Sequence, residues 1–240
     1  MDVQTVGEQL KAAYRAVMPR YRQDDEIEVR SPNHRRLWLI LRSICESFPR
    51  ATTVLDVGCG TGRYFHCLEN VQHLVGLDVS PEMLAAAESP VLAESVSIPR
   101  VELICQNVFD ASFAPETFDF IYSLGMFGHG CPVTAEICER FWTWLKRGGK
   151  LFFDVLSIGR LPLRVQLRRT AGRMIYPVLP PPIKRRMDAR KSRVPLCALT
   201  RAELEAVMRS TNFADFHISS KTCESPLWDG VHLECLALKP

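Results

Sequence analysis

No two of the nine cysteines stand three apart, so the chain lacks the Cys-x-x-Cys pairs of zinc ribbons and thioredoxin-type sites. An odd, scattered set implies reduced thiols in a cytoplasmic protein, mostly packed in the core, with no metal expected. Long apolar runs are also missing. Leu37 to Leu41 is the longest obvious one before an arginine, far short of the roughly 20 residues that a helix needs to cross a bilayer. The start, Met1-Asp2-Val3-Gln4, has no basic stretch leading into an apolar one, so no signal peptide is expected. There is no internal repeat and no low-complexity segment. With 47% apolar and 24% charged residues over 240 positions, the chain is neither disordered nor collagen-like, and it is long enough to bury a real core.

What is present alternates. After a helical start with Val6, Leu10, Ala13 and Val17 at helical spacing, Pro19 ends the run, and Gln23 to Arg30 reads as a charged linker. Ser31-Pro32 opens a second helix to about Phe48, with Ser31 as its cap. Strands are expected at Thr52–Val57, Leu74–Asp78, Val101–Cys105, Phe118–Ser123 and Lys150–Leu156. Helices are expected at Gly62–Leu68, at Glu82–Glu88 with Ser80 as cap, and at Val133–Leu145, stopped by Lys146-Arg147-Gly148-Gly149. Thr200 with Glu203 forms a capping-box pattern for a later helix. Phe213–Ser220 and Val231–Leu238 read as an antiparallel pair around a turn at Asp229-Gly230. Strands alternating with helices predict an α/β fold, a Rossmann-like doubly wound sheet, mostly parallel with an antiparallel C-terminal strand. Four parts follow along a single domain: an N-terminal helical cap over 1–50, a core over 51–156, a basic proline-rich lid insertion over 157–197, and a closing helix with its strand pair over 198–240.

The net charge of +3 hides an asymmetry. Arg160 to Arg193 holds eleven cationic residues and one acid, Asp188, a net of +10 that leaves −7 for the rest. A basic segment on an acidic body points to a local anionic partner.

The sharpest local signal is Val54-Leu55-Asp56-Val57-Gly58-Cys59-Gly60-Thr61-Gly62, a buried strand running into a glycine turn that leaves free N–H groups for a ligand. Asp78 follows Gly58 by twenty positions at the end of the next strand, where a nucleotide fold places a carboxylate for ribose hydroxyls. Arg63 stands where the dinucleotide pattern needs glycine or alanine, which argues against NAD. No Gly-x-x-x-x-Gly-Lys-Ser/Thr run occurs, which argues against a P-loop.

These residues, with Gly76-Leu77-Asp78-Val79-Ser80-Pro81-Glu82-Met83-Leu84, Asn107-Val108, Phe118-Asp119-Phe120-Ile121-Tyr122-Ser123 and Leu145 to Leu151, resemble the class I S-adenosylmethionine-dependent methyltransferases. The resemblance covers about Thr52 to Leu156 and implies S-adenosylmethionine as cofactor. It implies that Gly58, Cys59 and Gly60, with Gly62 closing the loop, line the methionine portion, and that Asp56 lies near its amino group. Asp78 would hold the ribose diol, Val79 would pack on the adenine, and Asn107 and Val108 would read the adenine edge. Asn107 departs from the aspartate common there. Ser123 and Leu124 would follow the fourth strand beside the sulfonium.

Methyl transfer asks the protein to align an acceptor and, for some acceptors, to remove its proton. In the stretch Ser123 to Pro132, His129 is the candidate general base, since an imidazole titrates near neutrality. The alternative is a histidine that shapes the loop. Cys131 beside Pro132 reads as structural, and His34, His66, His73, His217 and His232 show no partner pattern. Arg35 and Arg36, on the helix with Trp38, read as solvated charges rather than cap contacts to the cofactor. In the insertion, Leu163, Leu167, Ala171 and Met174 form an apolar strip with arginine edges, suited to an amphiphilic substrate or an anionic membrane surface met peripherally, the alternative being a lid whose arginines are solvated and whose leucines pack on the body. The expected acceptor is therefore a small or lipid-like molecule, methylated at oxygen. RNA or protein held by the basic lid is the second reading, with nucleic acid the weaker partner, and a non-catalytic cofactor-binding protein is the third.

Overall fold

The computed structural model of this chain describes residues 21–157, 175–182, 196–224 and 229–240. Seven strands, β1 (Thr52–Val57), β2 (Val71–Asp78), β3 (Arg100–Cys105), β4 (Phe118–Phe127), β5 (Leu145–Leu156), β6 (Asp215–Glu224) and β7 (Asp229–Leu238), form one sheet in the order β3-β2-β1-β4-β5-β7-β6. The first five run parallel, and β7 lies antiparallel to both β5 and β6. The strand order reverses between β1 and β4, so ligands are expected at the carboxyl ends of those two strands.

Helices cover both faces. On one side, α1 (Pro32–Glu46) and α2 (Pro81–Ala87) pack Leu37, Leu41, Ile44 and Leu84 against Val54, Phe120, Tyr122 and Phe152. On the other, α3 (Ala135–Trp144) and α4 (Arg201–Arg209) pack Ile137, Phe141, Leu204 and Met208 against Leu55, Val57, Ile121 and Phe153. The period of two sorts neighbouring strand residues, such as Val54 and Leu55, to opposite layers. Helix starts follow the predicted caps. Ser31, Ser80 and Thr200 each accept from a backbone N–H two or three residues into the helix, each cap being worth about 1 kcal/mol. Thr134 supplies a fourth cap, so α3 starts after it rather than at Val133.

Several expectations are corrected. The charged stretch 23–30 is helical over 21–28, because Asp25 and Glu28 are buried and partnered rather than solvated. Gly62 to Leu68 is not an α-helix: Gly62 has a left-handed φ of +74°, which breaks helical geometry, and only a single 3-10 turn forms at Phe65–Cys67. Strand β4 runs four residues further than expected, so Ser123 and Leu124 lie inside it, buried between two layers. Lys146 to Gly149 do not close α3 but begin β5, with Gly148 at φ +73°. Asp229 and Gly230 already pair with Glu224 and Cys223, so they belong to β7 rather than to the turn, and 225–228 lies outside the described residues.

The helix expected over Val6 to Val17, and most of the basic insertion with its apolar strip and cationic run, also lie outside the described residues. The insertion leaves and returns beside β4. Ser157 bridges to Leu199, the Cys197 N–H donates to the Gly128 carbonyl at 3.0 Å, and Leu196 bridges to His129. Among the described residues no helix is long and apolar enough to cross a membrane.

Candidate functional site

The glycine loop leaves β1 with Gly58, Gly60 and Gly62 all at positive φ, +75°, +53° and +74°, which only glycine adopts without strain. The N–H groups of Gly58 and Cys59 both donate to the Leu77 carbonyl, at 2.7 and 3.1 Å, tying the loop to the end of β2. The three glycines do different jobs. A Cβ on Gly58 would strike the Met126 side chain at 2.7 Å, and one on Gly62 would strike the Phe65 ring at 2.8 Å. Among the described residues a Cβ on Gly60 would meet nothing within 4 Å, and the same holds for Gly125 on β4. As far as the described residues go, Gly60 and Gly125 therefore face open space, while Gly58 and Gly62 are held by packing. Gly62→Ala should lower stability by about 1–3 kcal/mol from backbone strain alone, read as a shift in the denaturant midpoint.

Asp78 sits at this opening. Its two oxygens accept from the Gly60 and Ser80 N–H groups, each at 2.9 Å. Burial raises its pKa above the usual carboxylate range, and the backbone N–H groups of Ser80, Gly60 and Val79 oppose that rise. Asp56 is buried one strand away and accepts from the Tyr122 hydroxyl at 2.7 Å, its register partner on β4. Burial pushes the Asp56 carboxyl up to about 8, against the pull of the Tyr122 hydrogen bond and with help from the Asp78 charge.

A feature that sequence reasoning missed braces the loop from the N-terminal side. Asp25, from the helical stretch 21–28, accepts from the Thr61 hydroxyl and from Arg63 Nε at 2.5 Å. The signal was an acid in a stretch that composition alone marks as solvated. Arg36 is likewise not a solvated charge, because its guanidinium clasps the buried Glu234 on β7 through bonds of 2.9 and 2.5 Å. Arg35 is exposed, as expected.

At the far side of the opening, β4 loses register with β5 between Ser123 and Phe127. There Gly125 takes φ +78° and its N–H donates to Asp154 Oδ1 at 2.7 Å. The other oxygen, Asp154 Oδ2, lies 2.8 Å from His232 Nδ1. This His–Asp pair was not legible in the sequence, where His232 had no partner. Burial pulls the His232 pKa down, but the hydrogen bond and charge of Asp154 outweigh it and the net shift is upward. His129, half-buried in the turn after β4, feels His232, and its pKa falls through burial first and that neighbour second. His129 thus lies within electrostatic reach of His232 and Asp154. Ser123 and Leu124 are buried, and among the described residues the Ser123 Oγ has no hydrogen-bond partner.

The remaining predicted residues follow β2 and β3 in the chain. Val79 is half-buried beside Asp78, and Val108 is buried after β3. The Asn107 Oδ1 accepts from the Phe109 N–H at 3.1 Å, ordinary turn chemistry that occupies its side-chain oxygen. Cys131 is buried, as its structural reading required, and no disulfide joins any of the nine cysteines. Three side chains with no assigned role, His34, His66 and Cys67, converge just beyond the loop.

Comparison with known proteins bears on this geometry. A family model described as a methyltransferase domain matches residues 54–149. The ubiquinone biosynthesis O-methyltransferase of Paraburkholderia xenovorans is 32% identical over 106 residues, 44% of this chain and 44% of that protein. Phosphoethanolamine N-methyltransferase 1 of Triticum aestivum is 36% identical over 103 residues, 42% of this chain and 20% of that protein. The Haemonchus contortus phosphoethanolamine N-methyltransferase 2, solved with phosphomonomethylethanolamine and S-adenosylhomocysteine, superposes with a TM-score of 0.60 at 17% identity, over 85% of this chain and 52% of that one. That likeness concerns the fold. The matched region spans less than half the length of each of these two curated relatives.

Proposed function

The core of this chain belongs to the class I S-adenosylmethionine-dependent methyltransferase family, and from that premise we propose that it transfers a methyl group from S-adenosylmethionine to a hydroxyl of a small or lipid-like acceptor. The observation that carries the cofactor reading is the space that the described residues leave in front of Gly60, beside an Asp78 carboxylate fixed by two backbone N–H groups. These residues fit the cofactor. Asp78 keeps lone pairs for a ribose diol, Gly58, Cys59 and Gly60 would line the methionine portion, and Val79, Asn107 and Val108 would border the adenine. The raised Asp56 carboxyl would gain its charge beside an arriving ammonium group. When bound, S-adenosylmethionine supplies a methyl group activated by its sulfonium.

The acceptor side rests on this chain's own residues. A hydroxyl acceptor must lose a proton, and the Asp154–His232 pair can take it. With Nδ1–H donating to Asp154, His232 Nε2 would be the acceptor, and the carboxylate would stabilise the imidazolium that forms. His129, its pKa lowered by burial and by His232, would stay neutral and could accept or relay a hydrogen bond. The two named relatives, one an O-methyltransferase and one an N-methyltransferase by name, leave both acceptor atoms in the family. The paired base favours oxygen, because an amine is already nucleophilic when neutral.

Incubation with methyl-labelled S-adenosylmethionine and separate panels of phenols, hydroxylated isoprenoid lipids, amino alcohols and RNA should label a hydroxyl acceptor from the first two. Label found only in amino alcohols would move the acceptor to nitrogen. Label found only in RNA, or on the protein fraction of an extract, would overturn the small-molecule reading.

A further inference from the structure

We propose that His34, His66 and Cys67 form a binding site for a thiophilic divalent metal ion, with Zn2+ the ion their chemistry suits best. Two distant stretches of chain supply the donors. His34 stands in the first turn of α1, where its N–H donates to the Ser31 cap at 3.0 Å, while His66 and Cys67 are neighbours on the 3-10 turn after the glycine loop. His34 Nε2 lies 3.2 Å from His66 Nε2, and Cys67 Sγ lies 3.7 Å from the first and 3.5 Å from the second. A tetrahedral zinc ion with ordinary bond lengths sets nitrogen–nitrogen edges at about 3.3 Å and nitrogen–sulfur edges at about 3.6 Å. The triangle in this protein therefore already has the size of one face of such a site.

The donor set also selects the ion. Two imidazoles and one thiolate suit zinc and exclude magnesium or calcium, which demand oxygen. Three protein ligands leave a fourth position for water or a ligand, the pattern of open zinc sites rather than closed structural ones. His34 and Cys67 are buried and His66 half-buried, and Tyr64 stacks on the His34 ring at 5.1 Å and 10°, which fixes its plane. Among the described residues the Nδ1 atoms of both histidines are buried without a hydrogen-bond partner. The physical alternative is a single N–H···N bond between neutral imidazoles with a weak thiol contact beside it. That arrangement fills only part of the donor capacity of three converging groups.

An ion here would clamp α1 to the turn that begins at Gly62, and so hold the N-terminal elements over the cofactor loop. The inference stands apart from the proposed reaction, because its readout is the metal. The full chain, purified without a histidine tag and stripped with a chelator, is titrated with Co2+ alone and then with Zn2+. The expected result is one equivalent of Co2+ with a thiolate-to-cobalt charge-transfer band, displaced by Zn2+. The band should be lost in Cys67→Ser and in His66→Gln, and kept in Cys105→Ser, which removes an exposed thiol elsewhere. Circular dichroism reports whether each variant is folded, and the wild-type titration decides the matter without them. No bound cobalt, cobalt bound without the thiolate band, or a band that depends on Cys105 would each overturn the site.

Discussion

Replacing Asp78 by alanine should weaken S-adenosylmethionine binding by at least about tenfold while the chain stays folded. A carboxylate that accepts from two ribose hydroxyls contributes roughly 1.5–3 kcal/mol per charge-assisted bond, and about 1.4 kcal/mol is a factor of ten in affinity. The folded state itself gains less from this residue. Burial raises the Asp78 pKa, so the fold holds a carboxylate that its own environment disfavours. The sign follows from linkage. A carboxyl whose folded pKa exceeds its unfolded value contributes stability at low pH, and that contribution declines as pH rises toward the folded pKa. At neutral pH Asp78 is therefore kept at some cost to the fold, and its removal should hurt binding far more than folding. Asp78→Ala also strands the Gly60 and Ser80 N–H groups, so Asp78→Asn, which keeps one acceptor, is the companion variant. Titration calorimetry alongside thermal melts separates the two effects. Unchanged affinity in both variants would remove Asp78 from the cofactor site.

What the sequence disclosed and what it hid differ by the range of the interactions. The glycine loop and Asp78 were legible because the loop's conformation is set by residue type within a few positions. Caps at Ser31, Ser80 and Thr200 were legible for the same reason, each being a side chain bonded to the backbone three residues on. The His232–Asp154 pair was not, since 78 residues separate its members and only the antiparallel register of β7 on β5, Leu156 opposite His232, brings them together. His34 and His66 meet across 32 residues through the docking of α1, which no local pattern encodes. The end of β4 was misplaced because both faces of a central strand are buried, so alternation gives no signal of where pairing stops. Asp25 misled in the opposite way: charge in a polar stretch reads as solvent-facing, and here it is the partner of Thr61 and Arg63.

The same long-range packing decides which histidine is the base, and Asp154→Asn tests it with little change of shape. Asparagine can still accept from the Gly125 N–H through its oxygen, so the turn of β4 should hold. Its amide nitrogen then faces His232 Nδ1, which must become the acceptor, and the proton moves to Nε2. A histidine in that tautomer cannot take a proton from a hydroxyl at Nε2. Turnover should therefore fall by roughly 10²–10⁴, the usual contribution of a general base, with S-adenosylmethionine affinity nearly intact. His232→Ala should match it. The pH profile gives a readout that a structural role would not move. A base must be deprotonated, so kcat/KM rises with pH through its pKa. Asp154 raises that of His232, and burial together with His232 lowers that of His129. An acid limb above about 6.5, the ordinary histidine value, that disappears in Asp154→Asn assigns the base to His232. If the limb instead lies below that value, and His129→Ala alone carries the large loss, the base is His129 and the Asp154–His232 pair only tunes it. Full turnover in Asp154→Asn, His232→Ala and His129→Ala alike would mean that alignment suffices for the acceptor and that none of these three side chains moves the proton.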